Sequence, residues 1–185
     1  MKRCDWCLAS ELYMNYHDHE WGVVNHDDRI HFEFLVLESA QAGLSWLTIL
    51  KRREEYRRVY EQFNPVKVAE FDHEKIMEMI QDKGIIRNRL KIESSVSNAR
   101  HFLRIVEEYG SFDSYLWGFT DGKVIRNQWK TIRDIPANSP LSDLVSKDLK
   151  KRGFKFLGST IMYSHLQSVG IINDHLVSCF RYNQV

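Results

Sequence analysis

Cysteine and proline are scarce in this chain. Three cysteines among 185 residues are an odd number and too few for the disulfide framework of a small secreted domain, so a reducing, cytoplasmic setting is the expectation. Three prolines, Pro65, Pro136 and Pro140, punctuate the sequence without filling any stretch of it. No low-complexity tract and no internal repeat is present. No apolar run approaches the roughly 18–20 residues of a membrane span, and Met1-Lys2-Arg3-Cys4-Asp5-Trp6 lacks the apolar region of a secretory signal. Excess charge is missing too: the net charge is +1, which neither supports nor excludes a nucleic-acid partner. Hydrophobic residues nonetheless make up 43% of the chain, too many for a disordered one. The length suits a single domain, residues 1–185, with its own core.

The charge that exists is segregated. Residues 17–38 carry Asp18, Glu20, Asp27, Asp28, Glu33 and Glu38 against Arg29, a local −5, whereas residues 147–155 set Lys147, Lys150, Lys151, Arg152 and Lys155 against Asp148, a local +4. Either cluster alone reads as a solvated helix face. From about Arg29 onward the apolar pattern is helical. Residues 30–42 predict a buried helix. Residues 45–63 place Trp46, Ile49, Leu50, Tyr56, Tyr60 and Phe63 at mixed spacings until Asn64-Pro65 stops them. Asp72 caps a short helix that ends at Lys83-Gly84. Residues 88–109 repeat at Ile92, Val96, Ala99 and Val106 and stop at Gly110, and Ser111 caps another short helix through Trp117. Residues 118–138 lack a period and predict an irregular loop with a turn at Asp121-Gly122. A basic helix from Ser142 to Arg152, a connection from Gly153 to Leu157, a helix from Ser159 to about Val169 and a last helix from about Asn173 to Phe180 complete the reading. No run of alternating strand is visible. The predicted class is all-α, a single body of roughly eight or nine helices.

Within that last helix, His175 and Cys179 stand four residues apart, on one face. A structural Zn²⁺ takes four Cys or His ligands in a tetrahedron, and this pair supplies two. The first residues offer Cys4, Cys7, His17 and His19 as partners, and spacing does not choose among them. Cys4-Asp5-Trp6-Cys7 is also a C-x-x-C, but a redox role needs a strand before it, and nothing before Cys4 can form one.

Two further constellations carry chemistry. Residues 142–169 read as helix, glycine-bounded hairpin, helix. Gly153 permits the positive φ that ends the first helix, and Gly158 lets a partner approach the backbone where the second begins. Helix N-terminal amides bind phosphate, and Lys150, Lys151, Arg152 and Lys155 flank them, the makings of a sequence-independent clamp on a duplex backbone. The other constellation is aromatic: Trp6, Tyr13, Tyr16, Trp21 and Trp46 crowd the first quarter of the chain around Glu38, which sits within an apolar run. A carboxylate on a buried helix is costly unless paired or used. Aromatic faces beside an anion suit a flat cationic guest.

Together these segments resemble the DNA-3-methyladenine glycosylase I family, within the helix–hairpin–helix DNA glycosylase superfamily. The likeness covers nearly the whole chain. It is carried by Arg3-Cys4-x-Trp6, Tyr16-His17-Asp18-x-Glu20-Trp21-Gly22, Leu37-Glu38-x-x-Gln41-Ala42-Gly43-Leu44-Ser45-Trp46, Gly84-Ile85-Ile86-Arg87, Asn98-Ala99-Arg100, Leu149-Lys150-Lys151-Arg152-Gly153-Phe154-Lys155-Phe156 and Asn173-Asp174-His175. The resemblance implies a structural zinc on Cys4, His17, His175 and Cys179, with Cys7 a bystander. It implies a base pocket built on Glu38, Tyr16 and Trp46 with Trp6, Tyr13 and Trp21 nearby. The implied activity is excision of 3-methyladenine, a cationic lesion, flipped out of alkylated double-stranded DNA by a monomeric enzyme that releases the free base. Tyr16 and Trp46 are expected to sandwich the ring while Glu38 accepts hydrogen bonds from its edge. Asp174 is expected to be structural. Ser159-Thr160 follow Gly158 where bifunctional relatives carry a lysine nucleophile, which implies hydrolysis without lyase activity.

Overall fold

The computed structural model describes residues 1–185. Ser10 caps the first helix, α1 (Glu11–His19), by accepting the Tyr13 amide. This helix is short and its inward side chains are Tyr16 and His17, so it shows no apolar period and the sequence reading did not expect it. Helix α2 (Asp28–Gln41), capped by Asp27, buries ten consecutive residues from His31 to Ala40 and forms the axis of the molecule. Its Glu33 is neutralised by Arg53, whose Nε donates to Glu33 Oε1 at 2.5 Å while Nη1 donates to Glu20 Oε2 at 2.6 Å. Removing one partner from such a buried pair costs about 3–5 kcal/mol, so this network fixes the entry of α2 against the residues after α1. The far end of α2 is closed by Lys91, whose ammonium donates to the carbonyls of Ala40 and Ala42.

The stretch predicted as one helix over 45–63 is three pieces: α3 (Trp46–Leu50), α4 (Arg53–Val59) and a 3-10 turn at Glu61–Phe63. Arg52 leaves helical geometry at φ −109 and ψ 0, and Glu61, Gln62 and Phe63 all take positive φ. The uneven spacing of the apolar residues is the cause, because no single straight stripe buries them all. Pro65 then opens α5 (Pro65–Ala69), and Asp72 caps α6 (His73–Gln81). Helix α7 (Arg89–Tyr109) carries Ile92, Val96, Ala99, Phe102 and Ile105 inward and ends at Gly110 with φ 85. Ser111 caps α8 (Phe112–Trp117). After the Asp121-Gly122 turn, α9 (Pro140–Lys151) and α10 (Ser159–Ser168) pack against each other.

Two features amend the all-α expectation. Residues Ile125–Arg126 (β1) and Ile172–Asn173 (β2) pair in parallel. The predicted helix over Asn173–Phe180 is absent. Its backbone bonds tertiary partners instead: the Ile125 amide donates to the Ile171 carbonyl, the Asn127 amide to Asn173, and the Val177 amide to Trp129. The Asn173 side chain ties the same segment to the carbonyls of Tyr182 and Val185. Groups committed to such partners are not available for i to i−4 bonds. The chain is mostly helical, with ten α-helices and this one two-residue ladder.

Candidate active site and metal centre

The two ends of the chain meet in the core. Cys4, His17, His175 and Cys179 are buried, and one donor atom from each lies within 4.8 Å of the other three. His175 and Cys179 arrive there on a turn rather than on a helix face, with the Cys179 amide donating to the Leu176 carbonyl. A tetrahedral zinc with usual Zn–S and Zn–N lengths needs sulfur-to-nitrogen edges of roughly 3.5 Å. Here Cys179 Sγ lies 3.4 Å from His17 Nε2 and 3.6 Å from His175 Nδ1, and Cys4 Sγ lies 3.8 Å from His175 Nδ1. The outward nitrogens are occupied: His17 Nδ1 faces Asp18 Oδ1 at 2.8 Å and His175 Nε2 faces the Trp21 carbonyl at 3.0 Å. Protons there leave both inward lone pairs free. The Leu176 amide donates to Cys4 Sγ at 3.4 Å. The donor set therefore fits a divalent metal. Cys7 points away and hydrogen-bonds the Cys4 carbonyl, and His19 bonds the Asn15 carbonyl in solvent.

Against this centre stands the aromatic wall of a cavity. His175 packs on Trp21 at 4.6 Å between ring centroids, and Trp6 packs on Trp21 at 5.0 Å and on Tyr13 at 4.9 Å. The cavity encloses about 230 Å³ and is lined by Trp6, Tyr13, Tyr16, Trp21, Glu38, Gln41, Trp46, Ile132, Ile135, Ser164, Gln167 and Ser168. All six pocket residues named from the sequence line it. Tyr16 and Trp46 meet at 57° with centroids 5.6 Å apart. A sandwich needs parallel planes separated by roughly 7 Å, two van der Waals spacings. The two rings instead form a corner, offering one face and one edge to a guest. Tyr16 is held there by donating its hydroxyl to Ser168, which itself donates to the Ser164 carbonyl.

Glu38 is the polar centre of this cavity. Its Oε2 lies 3.0 Å from His165 Nδ1, while its Oε1 is buried without any partner. Trp46 Nε1 is likewise buried and unpartnered. Burial pushes the Glu38 carboxyl well above the usual carboxylate range and pushes the His165 imidazole down to about 3. An orphan acceptor and an orphan donor on the walls of one apolar cavity are a demand for a ligand that carries both.

A family model described as methyladenine glycosylase matches residues 6–182. The chain belongs to the methyladenine glycosylase family. DNA-3-methyladenine glycosylase 1 of Escherichia coli (strain K12) is 46% identical over 182 residues, which are 98% of this chain and 97% of that one. A crystal structure of 3-methyladenine DNA glycosylase I superposes with a TM-score of 0.92 at 47% identity, covering 97% of this chain and 98% of the other. A Tyr-to-Phe variant of such an enzyme, crystallised in complex with 3-methyladenine, gives 0.94 at 38% identity over 97% of both chains. These relatives are named as glycosylases, enzymes that hydrolyse N-glycosyl bonds.

Within this methyladenine glycosylase, the hairpin residues part company. Lys150, Lys151, Lys155 and Gly158 are exposed. A Cβ on Gly158 would meet nothing within 4 Å, so its surroundings are open, whereas one on Gly153, at φ 98, would lie 2.7 Å from the His101 ring. Arg152 spends its guanidinium on Asp148, Glu108 and the Tyr109 hydroxyl. Asn98 clamps the hairpin to α7, its amide donating to the Lys155 carbonyl at 2.9 Å and its oxygen accepting the Lys155 amide at 2.9 Å. Asp174 is saturated: Oδ1 accepts from Asn127 Nδ2 and Trp129 Nε1, both at 2.7 Å, and Oδ2 accepts from the Tyr163 hydroxyl at 2.5 Å and Gln167 Nε2 at 2.6 Å. A carboxylate with four donors has no lone pair to spare for a nucleophile, in keeping with the structural role expected of it. Sequence reasoning missed His165, His31 and Gln167. Gln167 lines the cavity, and a lone histidine in a helical period reads as core.

Proposed function

We propose that this protein excises 3-methyladenine from alkylated double-stranded DNA, flipping the damaged nucleotide into the aromatic cavity and hydrolysing its N-glycosidic bond without lyase chemistry. The observation that carries this reading is Glu38 Oε1, a buried acceptor with no partner in a cavity walled by four aromatic side chains besides Trp46, in a chain whose relatives carry that activity in their names.

Methylation at N3 leaves the base cationic. Its exocyclic amino group offers donors to Glu38 Oε1, and its positive charge compensates an ionised Glu38 where undamaged adenine would not. The aromatic corner of Tyr16 and Trp46 supplies stacking and cation–π attraction. As the bond breaks, its electron pair returns to the purine, which leaves neutral, while water oxygen bonds the sugar carbon and gives up a proton. The developing sugar cation is stabilised by neighbouring phosphates and by Glu38. No lysine lines the cavity, and Ser159 and Thr160 open α10, so no Schiff base forms.

The α9–α10 pair serves as a helix–hairpin–helix clamp. Lys150, Lys151 and Lys155 meet phosphates, with the unpaired amides at the start of α10 beside Gly153 and Gly158. Arg152 contributes where a phosphate displaces Glu108. Leu44, exposed on the loop between the cavity residues Gln41 and Trp46, fills the gap left by the flipped base. Cys4, His17, His175 and Cys179 hold one structural Zn²⁺, which supplies a staple between the chain ends and no step of the reaction. The test is base release from methylated duplex DNA. The products are analysed for 3-methyladenine against 7-methylguanine, and borohydride trapping is run in parallel. Release of 3-methyladenine with no trapped adduct is expected; intact methylated DNA would overturn the reading.

A further inference from the structure

Glu38 does not stand alone behind the cavity. From its Oε2 an unbroken hydrogen-bonded line crosses the core to the opposite surface. His165 Nδ1 is 3.0 Å from Glu38 Oε2, His31 Nδ1 is 3.3 Å from His165 Nε2, and His31 Nε2 is 3.2 Å from Asp113 Oδ1. Both imidazoles are fully buried. Asp113 is partly exposed, and the exposed His26 lies 3.0 Å from it. Helix α2 supplies Glu38 and His31, α10 supplies His165 and α8 supplies Asp113, so three elements converge on one line.

We infer that Asp113, His31 and His165 form a proton relay that holds Glu38 as a neutral acid in the empty cavity and carries its proton to the far surface when a cationic base enters. The inference rests on the proposed function for the identity of that base.

The direction of the line follows from its far end. Asp113 is ionised: burial opposes this, but hydrogen bonds from His31 and His26 outweigh it and hold the carboxyl below its usual range. Being an acceptor only, Asp113 requires a proton on His31 Nε2. Burial lowers the pKa of His31, so it is neutral and its Nδ1 accepts. His165 Nε2 must then carry the proton that His31 accepts. His165 is neutral too, so its Nδ1 accepts, and the only proton left to give is on Glu38 Oε2. The other charged and titratable groups facing this line do not reverse it. Asp28 lies on the His31 side and accepts the amides of Phe112 and Asp113, and Tyr16 faces Glu38 from α1 with Glu20 and Arg53 beyond it.

A cationic purine changes what is favoured at the near end. It covers the mouth of the cavity and pairs best with a carboxylate. The Glu38 proton moves to His165 Nδ1 as the Nε2 proton of His165 moves to His31 Nδ1 and the Nε2 proton of His31 moves to Asp113, which releases it to water; the His31–Asp113 hydrogen bond is broken in that state, the cost that the base's charge at Glu38 offsets, and re-forms when the proton returns. Both imidazoles stay neutral, each having turned from the Nε2–H to the Nδ1–H tautomer, and one proton has crossed the core. When the purine leaves neutral, the buried carboxylate has lost its cation, and the same line returns a proton to it. Undamaged adenine brings no charge and leaves Glu38 protonated.

Two measurements test this on the intact protein. In ¹⁵N-histidine spectra of the ligand-free protein at pH 7, His31 and His165 should both be neutral Nε2–H tautomers; an imidazolium or an Nδ1–H tautomer at either site overturns the relay whatever the enzymatic activity proves to be. Calorimetry with 3,9-dimethyladeninium, a permanently cationic base with no glycosidic bond, in buffers of different ionisation enthalpy should count about one proton released per base bound. In His31→Leu, which touches no ligand, the base should still bind, but proton release, followed with an indicator dye on rapid mixing, should lag well behind binding, where in the wild type the two coincide. Binding without proton release in the wild type, or release that keeps pace with binding in His31→Leu, overturns the relay. Failure to release 3-methyladenine from methylated DNA would sink the proposed function instead, and the histidine spectra would still decide the relay. Neither wild-type measurement depends on the variant folding.

Discussion

Glu38 concentrates the chemistry of the molecule in one side chain, and its exchange for glutamine separates two effects. The amide keeps the shape, and its nitrogen can donate to His165 Nδ1 as the protonated acid would. It cannot become an anion. Loss of a charge-assisted hydrogen bond and of charge pairing in a dry site is worth about 3 kcal/mol, on the order of a hundredfold in base release, with duplex affinity unchanged. Stability should move the other way. The folded pKa of Glu38 is raised by burial from an ordinary 4.5. Its stabilising contribution is therefore complete below about pH 4.5 and is lost as pH rises toward the folded value. Glutamine does not titrate. Measured by melting, the stability difference between wild type and Glu38→Gln should favour the wild type most below about pH 4.5, and the variant should gain on the wild type as pH rises above that value. A difference that is flat with pH would show Glu38 to be ionised in the empty fold. The acidic residue among aromatics was legible in the sequence because an apolar run betrays a misplaced charge. The histidines behind it were not, since nothing in a single helical period distinguishes a relay from a packed ring.

At the scale of elements, the α9–α10 pair depends on a residue outside it. Asn98 on α7 satisfies both backbone groups of Lys155. Asn98→Ala leaves an amide and a carbonyl without partners, a cost of about 1–3 kcal/mol. Hydrogen exchange at residues 153–158 should accelerate, and DNA affinity should weaken although no charge has changed. Replacing Lys150, Lys151 and Lys155 together by alanine should act differently: melting is unchanged, while the slope of log affinity against log salt falls by roughly one per lost phosphate contact. A slope unaffected by the triple substitution would remove the hairpin from the DNA interface. Helix ends were readable wherever local chemistry makes them, as at Asp72, Gly110, Ser111 and Gly153. Residues 173–180 were misread for the opposite reason. Their spacing suits a helix, but their backbone is claimed by β1 and by Trp129, partners nearly fifty residues away that no local pattern reveals.

The whole molecule closes through the cluster of Cys4, His17, His175 and Cys179. The pairing of the chain ends was visible in the sequence as surplus thiols and imidazoles at both termini. Spacing did not choose Cys4 over Cys7, because that depends on which sulfur the turn around Trp6 aims inward; only the family resemblance did. The same cluster backs the cavity: Trp6 lies 5.4 Å from His17 and Trp21 lies 4.6 Å from His175, ring to ring. Gly22 belongs to this joint as well, since a Cβ there would fall 2.9 Å from His175 Nε2. Stability and ligand binding should therefore fail together when the metal is removed. One zinc per chain is expected by elemental analysis. Chelation, or Cys179→Ser, should leave inward-facing donors in the core unpaired and lower the melting temperature by about 10 °C, the shift that a loss of a few kcal/mol gives in a chain of this size. Affinity for 3-methyladenine should fall with it as the Trp6 and Trp21 wall loosens. Added zinc should restore both in the chelated wild type and neither fully in Cys179→Ser. A metal-free protein that melts and binds like the zinc-loaded one would show that the four side chains are held by packing alone.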